Sequence, residues 1–257
     1  MIPSALDHVH EIAATHDRRL AVFLDYDGTL TPIASQPTQA VLSDSTRQVV
    51  RALAAHVPVA VLSGRDLDDV RRCVDIDGIV YAGSHGFDIA GPRDLRKQVA
   101  AEFLPIIDAA EKELREKLAA IPGVLLERKR FSIAAHYRHA NENGVTKVTR
   151  ALNEVVARHS ELRTITGKKV FELQPNIDWN KGRAVLWLLK TLGLEQPEMF
   201  PLYIGDDVTD EDAFRALRQR GVGIVVSELP RPTAARYALR SPGEVERFLR
   251  EIVAGLL

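Results

Sequence analysis

The chain has 257 residues, 46% hydrophobic and 27% charged, which excludes a disordered or low-complexity protein and leaves ample material for a buried core. A formal net charge of -1 argues against nucleic-acid or membrane-surface binding through overall charge. The single cysteine, Cys73, excludes an internal disulfide framework and a cysteine-based zinc cluster, and suits a reducing compartment.

The first twenty residues lack an apolar core of signal-peptide length, and the spaced apolar residues of Ile2–His16 predict a short helix packed on the core. Leu20–Leu24 then reads as a strand, Ser45–Ala55 as a helix with apolar residues at 49, 50, 53 and 54, and Val57–Leu62 as a strand. A helix over Asp66–Cys73 and a strand over Gly78–Tyr81 follow. The strands are Val-, Ile- and Leu-rich without alternation, as in a parallel sheet buried on both faces.

The middle of the chain changes character. A long helix is expected over Gln98–Ala119, strands near Val124–Arg128 and Phe131–Tyr137, a helix over Val145–Arg158, and strands near Leu162–Thr166 and Lys169–Leu173. This αββαββ order predicts a small α+β domain inserted at residues 89–175, with residues 1–88 and 176–257 forming the main domain. Segments Gly86–Pro92 and Pro175–Asp178 read as hinges between the two.

The apolar stretch Ala184–Leu194 is broken by Lys190 and falls short of the roughly 20 residues a bilayer needs. Strands at Phe200–Ile204 and Val222–Val226 flank a helix at Asp210–Arg220. Ser241, Pro242 and Glu244 mark a capping box that opens a C-terminal helix. The alternation of strands and helices predicts a doubly wound α/β fold. The expected setting is cytoplasmic, and the sequence carries no signature of an oligomeric state.

Four motifs carry chemistry. Asp25-Tyr26-Asp27-Gly28-Thr29-Leu30 follows the first strand, where open α/β sheets bind ligands, and two carboxylates there invite a metal and an acyl-phosphate. An Asp-Gly turn is the plainer reading of part of it. Ser63-Gly64-Arg65 offers a hydroxyl and N–H groups to a phosphate, or is ordinary helix entry. Asn180-Lys181-Gly182 supplies a cation, which taken alone is a solvated charge. Gly205-Asp206-Asp207-Val208-Thr209-Asp210-Glu211 places four acids within six residues. They repel unless a cation compensates them, although a helix N-terminus by itself accounts for Asp210 and Glu211.

In this order the motifs resemble those of the haloacid-dehalogenase-like phosphatases. The resemblance covers roughly residues 20–86 and 178–226 and implies a Rossmann-like core with an inserted cap domain. It implies Asp25 as nucleophile and Asp27 as general acid and base. Magnesium would be held by Asp25, Asp206 and the carbonyl of Asp27, with Asp207 and Asp210 orienting its waters. Ser63, Gly64 and Lys181 would hold the phosphoryl oxygens.

The insert bears on the substrate. Glu127 and Lys129 share one strand face, as do Lys168 and Glu172, so polar faces able to bind sugar hydroxyls are expected beside apolar ones. The basic run at 128–130 lacks the interleaved aromatics of a nucleic-acid site. Glu127-Arg128-Lys129, His136-Tyr137-Arg138, the segment Gly167–Pro175 and Asn180-Lys181-Gly182 together are similar to the trehalose-6-phosphate phosphatases, a resemblance over nearly the whole chain. It implies that Glu127, Arg128, Lys129, Arg138, Lys168 and Glu172 contact the sugar, with Arg65 and His85 near the domain junction. Gln174 departs from the pattern, where an Arg is common. The competing expectations are a phosphatase for another sugar phosphate, such as sucrose 6-phosphate, and a non-catalytic sugar-phosphate sensor.

Overall fold

The computed structural model describes residues 2–13, 19–34, 39–167 and 169–257, and Lys168 therefore lies outside the described residues. The chain folds into two compact units, one of Met1–Lys97 with Trp179–Leu257 and one of Gln98–Asp178.

The larger unit is built on an eight-stranded sheet. In chain order its strands are β1 (Arg19–Asp25), β2 (Val59–Leu62), β3 (Val80–Gly83), β4 (Asp88–Ala90) and β5 (Arg96–Gln98), then β10 (Met199–Gly205), β11 (Val222–Val226) and β12 (Tyr237–Leu239). Their spatial order is β12-β11-β10-β1-β2-β3-β4-β5. From β12 to β3 every pairing is parallel, and β4 runs antiparallel to β3.

Successive residues of β1 enter opposite cores. Leu20, Val22 and Leu24 join one apolar cluster, which holds side chains of α1 (Val9–Ala13), α2 (Asp44–Ala54), α3 (Leu67–Val74) and α8 (Pro242–Leu256). Ala21 and Phe23 join the other, with α6 (Lys181–Thr191) and α7 (Glu211–Leu217). Period-two alternation between two buried faces is why these strands read as unbroken apolar runs. The fold is the expected doubly wound α/β arrangement.

The chain leaves β1 in one direction, through β2 to β3, and returns on the other side of it through β10 and β11. The strand order therefore reverses between β1 and β10. In open α/β sheets such a reversal opens a crevice at the carboxyl ends of the two strands.

The smaller unit has the expected αββαββ order, over Gln98–Asp178 rather than 89–175. Its strands β6 (Leu125–Lys129), β7 (Ser132–His136), β8 (Leu162–Gly167) and β9 (Val170–Pro175) form an antiparallel sheet in the order β6-β7-β9-β8. Helices α4 (Leu104–Leu118) and α5 (Glu142–Arg158) cover one face, where Ile133, Ala135 and Leu173 meet Ile107, Leu114, Val148 and Leu152.

Several local expectations change. The helix expected from Gln98 starts at Leu104, because Pro105 has a fixed φ and no N–H and so belongs in a first turn. Segment 86–92 is not a bare hinge, since its middle pairs with β3 as β4. Helix α5 starts at Glu142, capped by Asn141, whose Oδ1 accepts the Gly144 N–H at 2.8 Å. At α8, Ser241 accepts from the Glu244 N–H as expected, but Glu244 reaches back to the N–H of Arg240 at 2.7 Å, one residue before the usual partner.

Leu24 is fully buried in β1, whereas Ile33 is 48% exposed. Leu24→Ala should cost about 2–5 kcal/mol of unfolding free energy and Ile33→Ala less than about 0.5 kcal/mol, measured by urea titration. Equal midpoints would contradict the placement of β1 at the centre of the core.

Candidate active site

Strand β1 delivers Asp25 to the crevice and then turns sharply. The Tyr26 carbonyl accepts the N–H groups of Leu30 at 2.9 Å and Thr31 at 3.1 Å, and Gly28 N–H donates to the Thr31 carbonyl at 2.8 Å. Gly28 has φ +86°, and a Cβ there would stand 2.3 Å from Oδ2 of Asp206. Both facts demand glycine, so the turn is shaped to admit the Asp206 carboxylate.

Strand β10 ends at Gly205 beside β1. A Cβ on Gly205 would fall 2.4 Å from the Asp210 carboxyl carbon, so this glycine admits Asp210. Asp210 is fully buried and accepts three donors: Lys181 Nζ and Tyr203 OH on Oδ1, each at 2.6 Å, and the Asp207 N–H on Oδ2 at 2.8 Å. Burial pushes its carboxyl up, but Lys181 and these hydrogen bonds prevail and hold it below the usual carboxylate range.

Lys181 opens α6, with Asn180 capping the helix through the Arg183 N–H at 2.9 Å. Its Nζ also donates to Asp25 Oδ1 at 2.6 Å, and its side chain is 2% exposed. Burial opposes the ammonium charge, yet Asp210 and Asp25 outweigh it and raise the lysine well above its ordinary value. Asp25 is pushed well above the carboxylate range, first by burial, with Lys181 opposing and Asp210 and Asp206 adding repulsion. One lysine does not compensate three clustered acids, and ionised Asp25 needs further positive charge.

Carboxylate oxygens of Asp25, Asp206 and Asp210 lie within 4.8 Å of one another, all three residues buried. Hard oxygen donors short of positive charge fit a hard divalent cation. The oxygens of Asp210 already serve Lys181, Tyr203 and the Asp207 amide, which leaves Asp25 and Asp206 as the better carboxylate ligands. Asp207 and Asp210 form a capping box, each side chain accepting the other's N–H at the 3-10 turn Val208–Asp210. Glu211 accepts the Ala234 N–H at 2.7 Å. The acidic run thus divides into Asp206, which faces Asp25, and two structural anchors.

Ser63 stands at the end of β2, almost fully buried, and its Oγ accepts the Arg65 N–H at 3.1 Å. The loops after β2 and β3 are laced together: His85 N–H donates to the Ser63 carbonyl at 2.9 Å, and Ser84 Oγ to Asp66 Oδ1 at 2.9 Å. Ser84 and His85 hold φ +48° and +56°, and the His85 ring lies against Gly64, where a Cβ would be 2.7 Å from its Cε1. Consecutive left-handed residues without glycine are costly and are found where function holds them. Arg65 turns its guanidinium to Asp27, donating from Nε at 2.7 Å and from Nη2 at 2.8 Å.

In the smaller unit, register puts Glu127, Lys129, Ser132 and Glu172 on the sheet face opposite the helices. Lys129 Nζ lies 3.2 Å from Glu172, Ser132 Oγ donates to Glu172 at 2.5 Å, and His136 pairs with Glu127 at 2.8 Å. Arg128 does not join them. Strand alternation turns it to the helix side, where it meets Asp108 at 2.7 Å and Glu111 at 3.3 Å. Arg138 is exposed in the turn beyond β7, which ends at His136. Gln174 is buried.

Tyr203 lies outside the four motifs, although its hydroxyl within an apolar run is a signal, because a buried phenol needs a partner. Asp69, which binds Arg65 Nη1 at 2.8 Å, had no signal at all.

The trehalose-phosphatase family model matches residues 23–243. Trehalose 6-phosphate phosphatase RA3 of Zea mays is 41% identical over 97% of this chain and 74% of its own length. Trehalose-phosphate phosphatase B of Arabidopsis thaliana is 40% identical over 98% of this chain and 71% of its own. In fold, the C-terminal domain of the trehalose-6-phosphate phosphatase of C. albicans superposes with a TM-score of 0.84 over 99% of each chain at 24% identity.

Lys181→Met removes a cation bonded to both Asp25 and Asp210. It should destabilise the protein by about 3–5 kcal/mol in urea unfolding without divalent cations, and Asp210→Asn in the same background should recover part of the loss. Unchanged stability would mean that the three groups are not charged together.

Proposed function

Because the chain belongs to the trehalose-phosphatase family, we propose that it is a magnesium-dependent phosphatase that hydrolyses trehalose 6-phosphate to trehalose and phosphate. The observation that carries this reading is the buried Asp25 carboxylate, 2.6 Å from Lys181 at the strand-order reversal, with Asp27 two residues on.

Asp25 attacks phosphorus and becomes an aspartyl-phosphate. Asp27 protonates the departing sugar oxygen and then takes a proton from the water that hydrolyses the intermediate. Lys181, Ser63 Oγ and the Gly64 N–H bind phosphoryl oxygens and hold them in line with Asp25. Asp25, Asp206 and the Asp27 carbonyl would hold magnesium, whose charge offsets the repulsion between an anionic nucleophile and an anionic phosphate. Asp207 and Asp210 keep the ligand-bearing loop in register through their mutual cap.

Recognition of the sugar is assigned to the polar face of the smaller sheet. Glu127, Lys129 and Glu172 there offer both acceptors and donors for hydroxyl groups. Arg138 and Lys168 join them by family resemblance. The geometry of Arg128 favours a supporting role. Among the described residues no helix is long and apolar enough to cross a membrane. A cytoplasmic setting is the reading that the lone free thiol of Cys73 suits.

Phosphate release from trehalose 6-phosphate, sucrose 6-phosphate, glucose 6-phosphate and p-nitrophenyl phosphate tests the reading. The trehalose ester should be the best substrate. EDTA should abolish turnover and magnesium restore it, and Asp25→Asn should lower kcat at least about 1,000-fold. Preference for sucrose 6-phosphate would keep the chemistry and overturn the sugar assignment. Tight binding of the trehalose ester without turnover would identify a sensor.

A further inference from the structure

Asp27 sits in a turn with a side chain 39% exposed, whereas Asp25 is held at 7%. Exposure of that kind leaves a short carboxylate free to choose its rotamer unless something grips it. Arg65 grips it with a two-bond fork, at 2.7 and 2.8 Å. The guanidinium is itself fixed from two further sides. Nη1 donates to Asp69 Oδ2 at 2.8 Å, and the group stands 5.3 Å from the Tyr26 ring centre. Asp69 lies in the first turn of α3, and its other oxygen accepts Arg72 at 3.0 Å. Burial works against the Arg65 charge, but Asp27 and Asp69 more than offset it. Burial likewise raises Asp69, while Arg65 and Arg72 hold its carboxyl below the ordinary range.

We infer that Asp69 and Arg65 are positioning residues that aim the Asp27 carboxylate for both of its proton transfers, an inference that rests on the phosphatase reading above. In the first step the bond from Asp25 oxygen to phosphorus forms as the bond from phosphorus to sugar oxygen breaks, and that oxygen takes the Asp27 proton. In the second, water oxygen attacks phosphorus and gives its proton to Asp27. The Asp25–phosphorus bond breaks, which returns Asp25 as a carboxylate and releases phosphate.

The fork in which both Asp27 oxygens accept suits the ionised, base half of this cycle. When Asp27 carries its proton, one oxygen becomes a donor and one Arg65 bond is surrendered. The Asp69 contact does not depend on that proton, so it keeps the guanidinium in place until the fork re-forms. A lysine has the charge but not the planar fork.

The test compares kcat/KM for two esters, because this ratio covers only the steps through the first phosphorus–oxygen cleavage. A sugar alkoxide needs a proton to leave, whereas p-nitrophenolate does not. Asp69→Asn, at a position remote from the reacting atoms, should lower kcat/KM for trehalose 6-phosphate about 10- to 100-fold and for p-nitrophenyl phosphate less than about 3-fold. Arg65→Lys should reproduce this asymmetry, and Asp69→Glu should restore part of it. If Arg65→Lys does not fold, the half-buried Asp69 pair carries the test. Equal losses on both esters would overturn the relay in favour of a structural role. A raised KM for the sugar ester with kcat kept would overturn it in favour of direct substrate contact. A parent protein inactive on every ester would sink the phosphatase reading and the relay together.

Discussion

The site depends on one buried ammonium shared between two carboxylates. Lys181 stands 2.6 Å from both Asp25 and Asp210, and the three side chains are at most 7% exposed. Such charges are stable inside a protein only when each is paired and hydrogen-bonded. Much of the local sequence serves that requirement. Gly205 gives Asp210 room, Tyr203 and the Asp207 amide satisfy its remaining capacity, and Gly182 lets α6 approach the Asp212 carbonyl, where a Cβ would meet oxygen at 2.4 Å. The lysine enters the crevice at the start of α6, close beside the turn that carries Asp206.

Sheet topology supplies the place for this cluster. Strands β1 and β10 are adjacent and parallel, and their connections depart in opposite directions, so neither connection covers their carboxyl ends. Asp25 and Asp206 come from strands far apart in sequence and meet there because of that register. Gly28 then lets the two loops interlock. Fold and chemistry are linked at a position where the backbone itself, through a positive φ and a close approach, tolerates only glycine.

How much of this was legible in the sequence follows from how local each signal is. The central strands announced themselves because burial on both faces leaves unbroken apolar runs. The three-residue strands β4, β5 and β12 were silent, since an edge or near-edge strand needs no such run. The four motifs were legible because spacing along a strand end is local. The partners inside them were not. Sequence spacing does not tell that Arg65 meets Asp27, 38 residues away, or that Arg128 belongs to the helix-covered face while its neighbours on either side do not. The helix expected from Gln98 begins only at Leu104 because Pro105 marks a first turn, while apolar periodicity runs on across it.

The acidic run after β10 shows why residue type alone does not assign a role. Asp206, Asp207, Asp210 and Glu211 look alike in sequence, and a helix N-terminus accounts for acids there as readily as a cation does. Their environments separate them. Asp210 is saturated by protein donors and Asp207 caps the turn beside it. Glu211 ties down the loop at Ala234. Asp206 is the one that approaches Gly28 and clusters with Asp25. The same logic distinguishes the two aspartates of the first motif. Asp25 is enclosed and deprived of full compensation, which suits a nucleophile that works with a cation. Asp27 is half-open and gripped by an arginine fork, which suits a group that exchanges protons with substrate and water. Two identical side chains two residues apart stand in different environments because one strand end buries the first and the turn after it exposes the second.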